Sequence, residues 1–165
     1  MLGECYFLRA FAHFNLVKFF ARPYTQNPSG DGIILRTSTS DPSIKARSTV
    51  EEVYAQIIAD AEKAASLMNQ PRGNTFASRE AAWALLSRVN LYKNDNAKAA
   101  SYASDVINSG NYTLASSDDY PNLFRDAQAS SETIFCIAFT SREDYGKFGS
   151  IASMMYSDGN SGWGE

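Results

Sequence analysis

The sequence predicts an all-α protein built from paired helices, and three observations lead there. Four segments repeat apolar residues at spacings of three and four, the period of a helix face. Start and stop signals bracket them. One helical stretch also has an echo further along: Phe14-Asn15-Leu16-Val17-Lys18 lies over Val89-Asn90-Leu91-Tyr92-Lys93, with Leu8 over Trp83 and Phe11 over Leu86.

The first helix is expected from about Glu4 to Ala21. Two lines of polar residues, Glu4, Asn15, Lys18 and Arg22 on one and Arg9 and His13 on the other, separate two apolar flanks. One flank holds Leu8, Ala12, Leu16 and Phe19, the other Phe7, Ala10, Phe14 and Val17. A helix with one stripe packs on one side only, so two flanks predict a helix wedged between neighbours. The charged and polar residues exclude a membrane span, and no stretch of about 18 apolar residues free of charge occurs elsewhere.

Residues 22–47 form a long connection with Pro23, Pro28 and Pro42, expected to be functional or clamped onto a surface. Within it Gly32 to Arg36 reads as a short extended piece. Ser48 followed by Glu51 reads as a capping box opening the second helix. Val50, Val53, Tyr54, Ile57, Ile58, Ala61, Ala64, Ala65 and Met68 then make a single stripe, ended by Gln70-Pro71-Arg72-Gly73. Ser78 caps the third helix, which runs to Lys93 and is apolar over most of its girth. After the turn Asn94-Asp95-Asn96, a fourth helix sets Ala99, Ala100, Ala103, Val106 and Ile107 on one face and stops at Gly110.

Beyond Gly110 the texture changes. Thr133 to Phe139 is a short β-prone run, and residues 140–165, rich in Gly, Ser, Tyr and Met, read as irregular. The organisation is one helical region, 1–165, with hairpins at 4–68 and 79–110 and an irregular segment at 111–165.

A net charge of −3 and an isoelectric point near 5.2 argue against a nucleic-acid partner, which calls for a basic patch. Whether Cys5 and Cys136 pair is open; as side chains they read as small buried apolar thiols.

The aromatic and alanine placement resembles tetratricopeptide repeats, with Ser87 where the repeat usually has glycine. Four longer stretches resemble the SusD/RagB family of nutrient-uptake outer-membrane lipoproteins: "GECYFLRAFAHFNLVKFFARPY", "ARSTVEEVYAQIIADAEKA", "AAWALLSRVNLYKNDNAKAASYASDVINSGNYTL" and "DDYPNLFRDAQASSETIFCIAF". They occur in the family's order over almost the whole chain. The resemblance implies a tetratricopeptide-like, all-α scaffold with long irregular loops and at most a short strand or two. It implies non-enzymatic capture of a glycan or other nutrient at the cell surface, for delivery to a TonB-dependent outer-membrane transporter. Family members are longer and start at a lipidated cysteine behind a signal peptide, so the chain is read as an internal fragment of such a protein, or a truncated relative, without the lipid anchor.

Read residue by residue, the chain offers little to catalysis. A serine nucleophile needs a histidine base, and the one histidine, His13, sits on a phenylalanine-rich helix without clustered ligands, which predicts a structural polar contact. The pairs Glu51/Glu52 and Asp118/Asp119 read as solvated charge. Asp158-Gly159-Asn160-Ser161 carries a trace of a calcium loop but lacks its sixth-position glycine and distal glutamate, so no metal or cofactor is expected.

A pyranose stacks its C–H face on an aromatic ring and gives its hydroxyls to amide, carboxylate or guanidinium groups. The aromatics of the helices (Phe7, Phe11, Phe14, Tyr54, Trp83, Tyr92, Tyr102) read as core. Those of the irregular segments have less packing reason to exist. The candidate ligand-binding residues are therefore Tyr24, Tyr145, Tyr156 and Trp163, with Asp158 and Asn160 near Trp163 in sequence. Trp163 has a second reading, as a side chain packing against a following segment. The alternative function is a tetratricopeptide-like protein-interaction scaffold, with aromatics along a helical groove and no small ligand.

Overall fold

A computed structural model describes residues 1–42, 44–70, 72–123 and 127–138. Four helices follow one another: α1 (Leu2–Phe20), α2 (Val50–Leu67), α3 (Arg79–Tyr92) and α4 (Asn96–Asn108), with a 3-10 turn at Tyr120–Asn122. α1 packs on α2, α2 on α3 and α3 on α4, while α1 and α3 meet only lightly. The core lies where α2 is sandwiched. Every apolar residue of its predicted stripe is buried except Ile58, which is partly so. Each fully buried branched side chain, such as Ile57, stabilises the fold by about 1.5–3 kcal/mol relative to its exposed state.

α1 corrects an expectation. Its Phe7, Ala10, Phe14 and Val17 flank is buried, and His13 with it, but Leu8, Leu16 and Phe19 on the other flank are exposed. Only one of the two faces has a neighbour among the described residues, because α2 covers one side of the helix and α3 touches it sparingly. The helix aromatics also divide: Phe7, Phe14 and Tyr54 are buried, Phe11, Trp83 and Tyr102 lean on the core, and Tyr92 is half exposed.

The start of α2 lies one residue later than the expected capping box. Ser48 is held in extended pairing, its N–H on the Ile33 carbonyl (2.8 Å) and its carbonyl accepting from the Gly32 N–H (2.7 Å). Thr49 therefore becomes the cap. Its hydroxyl accepts from the Glu52 N–H (3.2 Å), and the Glu52 carboxylate accepts from the Thr49 N–H (2.8 Å). This close pairing requires Gly32: a Cβ there would lie 2.7 Å from the Ser48 carbonyl oxygen and 2.9 Å from the Thr49 backbone. Ser78 opens α3 as expected, and Asp95, within the expected turn, opens α4, each through a side-chain acceptor. Gly110 ends the last helix at φ +68°, where a side chain would strain the backbone.

The long connection is clamped. Ile33 and Leu35 enter the core. An isolated bridge pairs Asp31 with Thr49, and the Pro28 and Gly30 carbonyls accept from the Glu51 and Val50 N–H groups. Arg9, on α1, reaches the Thr37 carbonyl at 2.7 Å. No multi-residue strand occurs among the described residues. The apolar run from Thr133 forms no strand as far as described, and it is tied down by the Cys136 N–H donating to the Asn74 carbonyl (2.9 Å) rather than by a sheet. Both cysteines are free. Against the reading of buried thiols, Cys5 is exposed on α1 and Cys136 is partly exposed.

Candidate binding surface

Among the sequence-predicted ligand residues, Tyr145, Tyr156, Asp158, Asn160 and Trp163 lie outside the described residues. Tyr24 lies within them, and it has packing partners. Its ring sits 5.0 Å from that of Tyr54, and the Lys93 ammonium stands 5.1 Å from its centroid. Behind it Tyr54 and Phe14 meet edge to face at 6.2 Å, and Phe14 meets Tyr92 at 5.3 Å. Burial, with Tyr92 and Tyr24 adding to it, pushes the Tyr54 hydroxyl up to about 12. Tyr24 thus closes an aromatic cluster at the ends of α1 and α3 while staying partly exposed.

The polar line of α1 is structural. Arg9 grips Asp60 of α2 with two donors, Nε at 2.7 Å and Nη2 at 2.6 Å, and Gln56 adds a third hydrogen bond to the same carboxylate (2.9 Å). The hydrogen bond to Asp60 raises the Arg9 pKa further. His13 is buried beside this pair. Its Nε2 accepts from the Arg36 N–H at 3.4 Å, while Nδ1 has no partner among the described residues. Burial lowers the His13 pKa, so the neutral ring is the folded form. The expected polar contact is present, and it holds the connection against α1. Among the described residues no group of three or more His, Cys, Asp or Glu side chains is arranged to hold a metal ion. No described helix is long and apolar enough to cross a membrane.

Two concave surfaces of several hundred Å³ lie among the described residues. A groove of about 510 Å³ runs between α1, α3 and residues 132–135. Phe7, Phe11, Leu85 and Phe135 line it, with Phe135 set edge-on to Phe7 at 5.1 Å, and Arg88 and Glu132 are its charged members. Glu132 is already engaged by the Ala115 N–H at 2.9 Å. The second is a cleft of about 550 Å³ where α1 runs into the connection, lined by Phe19, Phe20, Arg22, Asn27, Asp31 and Arg47 among others. The sequence reading treated Phe19 and Arg22 only as helix positions and missed this cleft. Its one sequence signal is the adjacent pair Phe19-Phe20 at a helix end: neighbouring side chains there point about 100° apart, so the core cannot hold both.

A short array of stacked helical hairpins, with concave surfaces between the hairpins and their connecting segments, defines a tetratricopeptide-like scaffold. The family model described as starch-binding and associating with the outer membrane matches residues 1–91. The chain belongs to the SusD-like family. Two SusD-like proteins of Formosa agariphila are 27% and 30% identical to it, over 94% and 83% of this chain. A SusD superfamily protein from Bacteroides thetaiotaomicron, solved as a crystal structure, superposes with a TM-score of 0.81 at 38% identity over 89% of this chain. The chain spans about a third of the length of these relatives: 31% and 27% of the Formosa proteins and 33% of the Bacteroides chain.

Proposed function

We propose that the protein to which this chain belongs binds carbohydrate at the outer-membrane surface, without chemistry of its own, and hands it to a TonB-dependent transporter. The observation that carries this reading is the match of residues 1–91 to a family described as starch-binding and associating with the outer membrane. By their side-chain chemistry Tyr145, Tyr156, Asp158, Asn160 and Trp163, with Tyr24, suit a saccharide's apolar face and hydroxyls. Isothermal calorimetry of the full-length parent with soluble polysaccharides tests it. Trp163→Ala is expected to weaken binding with thermal stability unchanged; equal binding by that variant removes Trp163 from the site.

A second reading has its own observation. The 510 Å³ groove is mainly apolar and sets Phe7 and Phe11 of α1 beside Phe135, as a groove for an apolar peptide would. Phe11→Glu discriminates the two readings: it abolishes peptide capture and leaves polysaccharide binding intact if the groove serves protein contacts.

A further inference from the structure

We infer that residues 36–41 form a strap that α1 releases in mild acid, with His13 as the proton-operated half of the clamp that holds it. The inference is independent of the carbohydrate reading. Two side chains of α1, one helical turn apart, hold two neighbouring peptide groups of this stretch. The Arg9 Nη1 donates to the Thr37 carbonyl (2.7 Å), and the His13 Nε2 accepts from the Arg36 N–H (3.4 Å). The second is long for a hydrogen bond, so the clamp is weakest at His13. Leu35 before it is anchored in the core, while Thr37 to Ser40 are exposed. The stretch also keeps its own shape. Asp41 accepts from the Thr37 N–H (2.8 Å) and the Ser38 N–H (3.2 Å), and its own N–H donates to the Ser38 carbonyl (3.3 Å). Those two donors hold the Asp41 carboxyl below the usual carboxylate range, so the turn stays closed where an imidazole titrates. It can therefore lift as one piece from the anchored Leu35.

His13 is only 5% exposed. With Nε2 accepting, the neutral ring carries its hydrogen on Nδ1, which finds no partner among the described residues. A second proton would set one donor against the Arg36 N–H and bury a cation one turn from Arg9. The charges around the ring do not outweigh that cost. On α1 stands Arg9, and on α2 stands Asp60, whose carboxylate already accepts twice from Arg9 and once from Gln56. On the connection the Arg36 guanidinium reaches the Pro42 carbonyl, and Lys45 reaches the Leu35 carbonyl and Asp41. On α3, which meets α1 sparingly, Arg79 engages the Ala65 carbonyl, Glu80 accepts from Asn111, and Arg88 lines the groove beside Phe11. Burial is the largest influence and lowers the His13 pKa from 6.5; Asp60 raises it and Arg9 lowers it again. Lifting the strap returns the ring to water and its pKa toward the ordinary value. The open form thus binds the proton first as pH falls. Opening then grows by up to about tenfold per pH unit below about 6.5, until the closed form also titrates.

The test is amide hydrogen exchange of the full-length parent, resolved at the Arg36 N–H by fragmentation in the mass spectrometer and corrected for intrinsic rates at each pH. Protection of this amide is expected to lie below that of the α2 amides at pH 7.5, and to fall by about three- to tenfold more at pH 5.5. In His13→Gln, whose side chain does not titrate, protection of the Arg36 amide should be the same at the two pH values. Protection equal to that of α2 at both pH values shows that the stretch opens only when the whole fold does, and it overturns the strap. An Arg36 amide indifferent to pH in the parent overturns it too, as does a fall that persists in His13→Gln. Should that variant melt below the parent, the onset in the parent decides. A fall that begins near pH 6.5 belongs to an imidazole and supports the strap; one that begins below about pH 5 belongs to a carboxylate and overturns it.

Discussion

In the first hairpin the second helix is covered on two sides: α2 packs on α1 and on α3, and its whole apolar stripe is buried or nearly so. In the second hairpin α4 packs, among the described helices, on α3 alone and reaches α2 just by the Tyr102 hydroxyl donating to Glu62 (3.0 Å). Of its apolar face only Ala99 is buried, and Ile107 is 75% exposed. The two helices have equally regular amphipathic patterns, so the difference lies in their neighbours. Periodicity tells which face of a helix turns inward; whether anything waits there is a property of the assembly. The two flanks of α1 teach the same lesson within a single helix.

Substitutions can break this comparison. Ile57→Ala in α2 is expected to cost about 4 kcal/mol, as a large cavity in a covered core does. The matching change in α4, Ile107→Ala, should stay within about 0.5 kcal/mol in urea unfolding of this chain. If both cost the same, α4 is covered and the contrast is wrong. Next in size is Asp60→Ala. It leaves the Arg9 guanidinium partly buried without its partner and is expected to cost about 3 kcal/mol. Because Arg9 also holds the Thr37 carbonyl, limited proteolysis should reach residues 33–41 sooner in this variant.

A smaller pair of changes sharpens the start of α2. Thr49→Ala should cost about 1 kcal/mol and Ser48→Ala almost nothing, since only Thr49 caps the helix. The reverse ranking, read from urea midpoints, would restore the cap to Ser48.

The smallest effect is that of pH on His13. Burial sets its folded pKa below the ordinary 6.5, with Arg9 lowering it further and Asp60 opposing. The unfolded chain therefore binds the proton first as pH falls. The contribution of the neutral ring is full above about 6.5 and declines below it. Protonation also removes the acceptor for the Arg36 N–H. The decline should vanish in His13→Gln, measured as the difference in melting temperature between pH 7.5 and pH 5.5.

Much of the fold was legible in the residues, and so was the family. All four helices lie within a few residues of their expected bounds, and Ser78 and Gly110 stand where the punctuation put them. The capping box was ambiguous because Ser48-Thr49-Val50-Glu51-Glu52 contains two overlapping boxes of equal local merit. The site was less legible. Tyr24 in an irregular stretch looked free of packing, yet it leans on Tyr54, thirty residues further along the chain. The cleft beside Phe20 draws on residues from Phe19 to Arg47, which share no local pattern.

By itself the sequence determined the helices, their caps and the all-α class, because these follow from interactions within a few residues: apolar spacing, side-chain caps and turn glycine. The tertiary structure decided which apolar faces are covered, which of two caps is used and which polar groups are spent. Those outcomes depend on contacts between distant segments, such as Gly32 against Ser48 or Arg9 on Asp60. No local pattern records whether a partner has arrived.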